Sequence, residues 1–432
     1  MSKAKTGNSF WSSWKWLIEI VLFSVIAGLL IYAVPMEGLE FQGKVMLVMF
    51  LWCVALWIAK PLEEWLVSVI ACVILVIFFG IDHKGLLSGF QNPGWFLVIF
   101  SQMIGITMVM TGLGRRMAYF IVSKLGKGGE LMANYAVGAT TALCTLIIPS
   151  AGARTSTLVN IVDELSESLG FKRGERGGES LVMTGMFVNT TGTIMFLTGT
   201  NTIPMGLAIV MEATGRTMSW GEWFAAGFLP GAICCLLIPM YTHLLYKPKK
   251  SKTGGPAEPK KIDVGFAKQA LAEMGPMSTG EKWSLICFSL TVLLWATGSL
   301  TGINANIVPW LTVFLLLIPN FAPGTSKEII REVPWSAMLW IGLAMGMANN
   351  VNSSGGFQWL VDTFFTSNAA VQSLSYTGFL IVWLLLVLFI HIIFAGMDPM
   401  VTLFTPIGMS IAAALGFDVF TVGVITIMAV CV

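Results

Sequence analysis

The chain has 432 residues, of which 56% are hydrophobic and only 11% charged. Soluble domains carry about 25% charged residues, and apolar stretches recur along the whole length, so the composition excludes a soluble globular protein and requires lipid as the solvent. The net charge of +2 is too small to suggest a nucleic-acid partner.

A membrane span needs about 20 apolar residues, and residues 16–35 supply the first. The segment before it is polar, with Lys3, Lys5 and Lys15 and no small-residue cleavage site, so it reads as a signal anchor rather than a leader. Residues 44–59 and 65–81 form a pair of spans joined by the link Lys60-Pro61-Leu62-Glu63-Glu64. A fourth span, 95–113, stops at glycine followed by cations, Gly112-Leu113-Gly114-Arg115-Arg116, which suits a helix C-terminus. Residues 117–125 are amphipathic and fit the interface.

The next part departs from plain spans. An apolar run, 131–148, meets the polar stretch Pro149-Ser150-Ala151-Gly152-Ala153-Arg154-Thr155-Ser156-Thr157. A short apolar piece, 158–162, then leads into a charged loop expected over 163–179. Two short segments meeting at a small polar tip predict a re-entrant hairpin. Residues 180–197 are apolar until Thr198-Gly199-Thr200-Asn201-Thr202-Ile203-Pro204 interrupts them, which predicts a broken helix resuming at 205–211. A span follows at 223–246. Residues 247–261 hold six lysines and three prolines and no bulky apolar side chain, which marks a linker between two halves. The second half reads as spans at 283–299, 303–318 and 335–350, an amphipathic stretch at 357–365, and a second hairpin, 376–394 and 400–415. Its tip is Ala395-Gly396-Met397-Asp398-Pro399. A last apolar segment, 419–432, closes the chain.

The order of elements after Pro93 repeats after Pro334: proline and tryptophan, apolar helix, glycine stop, amphipathic tail, hairpin. Lys and Arg cluster at the N-terminus, at 115–116, at 172–176 and at 247–261. If these are all cytoplasmic, the two repeats run in opposite directions. Inverted repeats with discontinuous helices mark secondary transporters, because non-helical backbone survives at membrane depth only where protein or a water-filled cavity surrounds it. The fold class expected is therefore an all-α polytopic membrane protein with inverted repeats, two re-entrant hairpins and broken helices. Solute is expected to move by alternating access at a site between the tips.

Arg154 and Asp398 are the intramembrane charges, and such charges are functional hypotheses by default. Arg154 reads as a counter-charge for an anion, against a snorkelling or structural arginine. Asp398 reads as a cation or proton site or a partner of Arg154, against a helix N-cap preceding Pro399 at N1. His391 reads as a packed histidine, against a proton relay. Asn189, Thr190, Thr191 and Thr193 either bond neighbouring helices or line the cavity. Candidate substrate contacts are Ser150, Ala151, Gly152, Arg154, Thr155, Thr200, Asn201, Gly396, Met397 and Asp398. Candidate cation contacts are Ser150, Gly152, Gly199 and Asp398, with sodium or protons as the coupling ion. The seven cysteines, Cys53, Cys72, Cys144, Cys234, Cys235, Cys287 and Cys431, sit in apolar runs without metal-ligand spacing. No catalytic motif is present, so no enzyme is expected.

Four stretches in order carry a family resemblance: Gly89-Phe90-Gln91-Asn92-Pro93, Thr111-Gly112-Leu113-Gly114-Arg115-Arg116, Pro149-Ser150 with Ala153-Arg154, and Met195-Phe196-Leu197-Thr198. Over residues 45–432 the chain resembles the divalent-anion/sodium symporters, which carry dicarboxylates, citrate or sulfate. It is most similar to the bacterial citrate/succinate exchangers and the plastid 2-oxoglutarate/malate translocators. The resemblance implies an elevator-type fold, a homodimer in lipid, and a Ser-Asn-Thr-like motif at each tip for carboxylate and sodium. The first tip keeps only Ser150 of that motif, and the second, Gly396-Met397-Asp398, keeps none of it. The division that follows has scaffold helices at 1–92, 212–246 and 283–333, with the linker region at 247–282. The transport-domain halves are 93–211 (tip 149–155, break 198–204) and 334–432 (tip 395–399). By the same symmetry the second half calls for about 50 residues past Val432, so the chain reads as C-terminally truncated. The function expected is secondary transport of a di- or tricarboxylate or sulfate-like anion, in a bacterial inner membrane with the N-terminus and 247–261 cytoplasmic. A cation- or proton-coupled antiporter and a non-transporting remnant are the alternatives.

Overall fold

The structure, a computed structural model, describes residues 10–125, 128–148, 150–216, 218–246, 265–319, 321, 324–366, 369–394 and 396–432. Lys3 and Lys5, Pro149 and Ala395 of the two tips, and the linker 247–261 lie outside the described residues.

Helices account for the architecture, and no strand occurs among the described residues. They begin with Phe10–Tyr32 (α1), Phe41–Ala59 (α2), Glu64–Phe79 (α3), the short His83–Leu86 (α4) and Pro93–Thr111 (α5). Leu113–Leu125 (α6), Glu130–Ile147 (α7), Ala151–Ser168 (α8), Arg176–Thr191 (α9) and Thr202–Thr214 (α10) follow. Trp220–Leu245 (α11), Gly265–Glu273 (α12), Thr279–Thr301 (α13), Val308–Leu316 (α14) and Ser326–Glu332 (α15) come next. The chain ends with Trp335–Ser353 (α16), Gly356–Val361 (α17), Ala369–Gln372 (α18), Tyr376–His391 (α19), Met397–Ala414 (α20) and Val419–Val430 (α21). Among the described residues α1, α2, α5, α11 and α20 are long and apolar enough to cross a membrane. Only 11% of the α1 span is buried, as suits a helix facing lipid.

Two pairs of elements in the expected repeat match in length: α5 and α16 have 19 residues each, and α8 and α20 have 18 each; α6 and α17 differ, with 13 and six. Each hairpin turns through extended backbone, at Ile148 and Ser150 in the first and at Gly396 in the second.

The chain divides into two compact units. The first comprises Met1–Trp95, Met205–Thr217 and Pro334–Val430. In it α16 presents Gly342 and Gly346 to the turn 85–91. A Cβ at Gly346 would collide with the Leu86 carbonyl oxygen, and one at Gly342 with the Phe90 ring. α10 and α21 are equally close, since a Cβ at Gly206 or Gly423 would overlap Ile427 or Val210.

The second unit comprises Phe96–Pro204, Met218–Val333 and Cys431–Val432. Here α11 uses Gly227 and Gly231 against the 3₁₀ turn Gly192–Met195 that follows α9. A Cβ at Gly227 would strike the Ile194 carbonyl oxygen, which instead accepts a 2.9 Å bond from Trp223 Nε1. Small-xxx-small faces let backbones approach in membranes, and each unit applies one to an irregular segment.

Two sequence expectations need correction. The loop expected over 163–179 runs only over 169–175, because α8 continues to Ser168 and α9 starts at Arg176. Leu158, Ile161, Val162 and Leu165 are buried, a helical spacing that holds one face against the protein while Asn160, Asp163 and Glu167 occupy the other. The span expected over 303–318 holds only a 9-residue helix, α14. An Asn304 side chain accepts from the Asn306 N–H at 2.9 Å, and Pro309 opens the helix, so the preceding residues turn rather than wind.

Arg116 ties three elements of the second unit together. Its Nε and Nη2 reach both Glu281 carboxylate oxygens at 2.7 and 3.1 Å, and its remaining donors reach the Gly275 and Met274 carbonyls. Thus α6, the end of α12 and the capping box that starts α13 converge on one guanidinium. Glu281 is buried and Arg116 half-buried. Removing one partner strands a charge that water screens only in part, at about 2–3 kcal/mol. Arg116→Ala is expected to lose that much stability in an unfolding titration, and a loss under about 1 kcal/mol, typical of a surface pair, would contradict this role.

Candidate functional site

The first tip is built by α7, α8, α9 and the break after α9, all within the second unit. α7 ends at Ile147 with Ile148 as its C-cap, and Ser150 caps α8 by accepting from the Ala153 N–H at 3.3 Å. The first N–H groups of a helix have no helical partner. Those of Ala151 and Gly152 lie on exposed residues, and a Cβ at Gly152 would meet only Ser150 Oγ at 3.9 Å. A ligand can therefore approach this backbone closely.

Arg154 sits one turn into α8 and is fully buried. Its Nη1 donates to the Ile148 carbonyl at 2.6 Å and to the Gly199 carbonyl at 2.7 Å. Its Nε donates to Asn189 Oδ1 at 2.5 Å, and Nη2 to the Asn189 carbonyl at 3.0 Å. Four of five guanidinium N–H groups are thus spent on neutral acceptors from the end of α7, from α9 and from the break. Among the described residues no carboxylate pairs with this cation. Asn189 returns the link, its Nδ2 donating to the Ala151 carbonyl at 3.2 Å and to Thr155 Oγ1 at 3.1 Å.

A break is present as expected, but it runs from Gly192 to Asn201: it opens six residues before Thr198, and Thr202, Ile203 and Pro204 already belong to α10. Gly199 is required sterically, because a Cβ there would collide with the Thr193 carbonyl oxygen. Thr198 is 2% exposed and its hydroxyl has no partner. Thr200 and Asn201 are half-buried, and Asn201 Oδ1 accepts from Gln102 Nε2 of α5 at 2.6 Å. Ser150, Ala151, Gly152, Arg154, Thr155, Gly199, Thr200 and Asn201 are thereby assembled around one hairpin end and one broken helix. Thr190, Thr191 and Thr193 bond carbonyls of their own segment instead. Beyond the tip, Ser156, Thr157 and Asn160 line a cavity of about 820 Å³ that also meets Arg115, Tyr119 and Glu164. Burial and the hydrogen bond to Glu164 push the Tyr119 phenol up to about 12, so it stays a donor.

The second tip belongs to the first unit. Gly396, Met397 and Asp398 line a cavity of about 420 Å³ with Trp57, Lys60, Glu63, Glu64 and Trp340. Lys60 pairs with Glu64 at 3.2 Å, and Trp57 meets Trp340 edge-on at 5.3 Å. Asp398 is not an N-cap, the alternative weighed against its functional readings. Gly396 caps α20, which starts at Met397, so Asp398 and Pro399 fall at the second and third positions. Extended backbone at Gly396 starts the helix two residues earlier than proline placement suggests. His391 is in the last turn of α19, half-buried.

Residues 12–431 match the sodium:sulfate symporter transmembrane region. The chain belongs to that family. Relatives include a putative malate transporter, YflS, of Bacillus subtilis, 27% identical over 82% of this chain and 72% of the relative. The citrate/succinate antiporter of Escherichia coli K12 is 28% identical over 91% and 82%. The chloroplastic dicarboxylate transporter 1 of Spinacia oleracea is 27% identical over 94% and 71%. Among solved structures, the YdaH transporter of Alcanivorax borkumensis superposes with a TM-score of 0.58 over 89% of this chain and 86% of that one. At 11% identity it shares the fold alone. This member of the symporter family is an integral membrane protein, and its function is anion transport.

Sequence reasoning missed Gln102, although it is the only amide within Pro93–Thr111, and it undervalued Asn189. A lone amide in an apolar helix was the available signal for the first. For this transporter the collision at residue 199 gives a direct test. Gly199→Ala is expected to cost about 1–3 kcal/mol by overpacking and to cut anion uptake about tenfold by pulling the Gly199 carbonyl off Arg154. Gly152→Ala, which faces open space, is expected to unfold like the wild type. Equal thermal midpoints and equal uptake for the two variants would contradict this geometry.

Proposed function

We propose that the protein is a secondary active transporter of a small anion, a di- or tricarboxylate or a sulfate-like ion, working by alternating access in symport or exchange. The anion is held at the first tip and the neighbouring break. The observation that carries this reading is the bonding of Arg154. Its charge is buried and ends on neutral acceptors, so the field it makes is not cancelled locally. The N-terminus of α8 adds partial positive charge at the same place. Both favour an anion, and low-dielectric surroundings strengthen them. Arg154 is in this reading a positioning residue and a field source. Direct contacts come from the amides of Ala151 and Gly152, from Ser150 and Thr155, and from Thr200 and Asn201.

The substrate class follows the names of the relatives, which are called transporters of malate, dicarboxylate, or citrate and succinate. For the coupling ion we take sodium, in line with the family's name. Ser150 and Gly152 remain cation candidates. Gly199 is weaker, because its carbonyl is engaged by a guanidinium that repels a cation. Asp398 at the second tip is assigned the coupling cation, with Gly396 and Met397 beside it. We further propose the elevator division, with 93–211 and 334–432 as the moving halves and 1–92, 212–246 and 283–333 as a dimeric scaffold. The N-terminus and 247–261 are assigned to the cytoplasmic side of a bacterial inner membrane. A proton-coupled antiporter is a second reading, favoured by the cavity that Asp398 shares with Glu63 and Glu64.

In proteoliposomes, wild-type protein is expected to take up succinate or sulfate when driven by an inward sodium gradient. Arg154→Ala is expected to lower uptake roughly 100-fold, the equivalent of about 3 kcal/mol from lost charged hydrogen bonds, with helical content retained. Arg154→Lys keeps a charge without the planar fork and is expected to recover only part of it. Unchanged uptake in Arg154→Ala would remove the arginine from the mechanism.

A further inference from the structure

One amide stands between the buried arginine and the exposed tip. Asn189 Oδ1 accepts from Arg154 Nε at 2.5 Å, while its Nδ2 donates to the Ala151 carbonyl at 3.2 Å and to Thr155 Oγ1 at 3.1 Å. The orientation is fixed from both ends. A guanidinium only donates and a carbonyl only accepts, so turning the amide over would set N–H against N–H and oxygen against oxygen. Among the described residues Asn189 is also the one side chain to which Arg154 is hydrogen-bonded; its other acceptors are the carbonyls of Ile148, Asn189 and Gly199. Carbonyls are the same whatever the sequence, so among these contacts position 189 alone decides whether the cation has a counter-charge. An aspartate of the same size would form a charge-assisted pair there and end the field locally. The amide instead leaves the charge whole and turns its own positive N–H₂ end toward Ala151 and Thr155, which are exposed.

We propose that Asn189 is a positioning residue that sets specificity through Arg154: its neutral amide aims the guanidinium without cancelling it, and so keeps the first tip selective for anions. This rests on the anion reading above and deepens it, by naming the residue that fixes the sign of the site. Gly152 can report that sign. It is exposed in the first turn of α8, and a Cβ there would meet only Ser150 Oγ at 3.9 Å, so a cysteine fits. The seven native cysteines are buried or half-buried, so reagents in water meet the introduced thiol first.

The test labels Gly152→Cys protein in lipid nanodiscs with an anionic and a cationic methanethiosulfonate, each rate divided by that of the same reagent with a small free thiol. By this measure the anionic reagent is expected to react about tenfold faster. Adding Asn189→Asp is expected to remove or invert the preference. Asn189→Leu, or the smaller Asn189→Ser where leucine prevents folding, is expected to keep it within about threefold. A merely structural asparagine predicts another order, because leucine loses every bond that aspartate loses and the one to Arg154 as well. The inference is overturned by no anionic preference in Gly152→Cys, by a preference that aspartate leaves unchanged, or by one lost equally with the neutral replacements. An Asn189→Asp protein without wild-type helical content overturns it too, because a carboxylate should be accepted beside Arg154. Uptake of succinate and sulfate in proteoliposomes tests the anion reading separately. There Asn189→Asp is expected to raise the anion KM about 30-fold and Asn189→Leu about threefold; the reverse order overturns the inference. No wild-type uptake of either anion, with the labelling pattern intact, sinks the assignment to these anions and leaves the role of Asn189 standing.

Discussion

A broken helix at membrane depth must find partners for its stranded carbonyls, and here one guanidinium supplies them. Unpaired backbone groups cost several kcal/mol each where water is absent. Arg154 reaches Ile148, Asn189 and Gly199 from a single side chain, and so joins the end of α7, the body of α9 and the break. A planar fork can do this, and a lysine ammonium cannot. The same bonds leave the charge uncancelled, since carbonyls share a proton without neutralising the cation. Structural satisfaction and an anion-attracting field thus come from one residue. The bonds show the structural role, and the functional role is the one proposed above.

The irregular backbone is also packed from behind. In the second unit Trp223 and Gly227 of α11 hold the turn at Ile194. In the first unit Gly342 and Gly346 of α16 admit the turn at Leu86 and Phe90. Side chains in these places would push the segments apart, so glycine is the residue that permits contact. Non-helical segments held this rigidly can keep polar groups aimed at a ligand rather than relaxing into helix. The packing thereby connects to function, because transport needs a site whose shape survives repeated loading and release.

Much of this was legible in the residues. Length of apolar runs located most helices, and the glycine, amide and hydroxyls of Thr198 to Asn201 marked the break, although it opens earlier, at Gly192, and Pro204 lies inside α10. Charge misled at α8, where Asp163 and Glu164 suggested a loop although Leu158, Ile161 and Leu165 already carried a helical stripe. Hydrophobicity misled at α14, where Asn304 and Pro309 shorten an apolar run that looks long enough to span. Three of the four acceptors that Arg154 reaches were not legible, because they are backbone carbonyls, which every residue has; the fourth is the Asn189 side chain. Gln102 was missed for a related reason: its importance lies in a partner 99 residues away, and no local pattern announces it.

The most direct measurement is the position of the bound anion. A cryo-EM map of the protein in lipid nanodiscs with saturating succinate and sodium is expected to place ligand density against Ala151, Gly152 and Asn201. Arg154 should still be bonded to the carbonyls of Ile148 and Gly199. Ligand density in direct contact with the Arg154 guanidinium, with Gly199 released, would contradict the clamp; density remote from residues 150–155 would contradict the site.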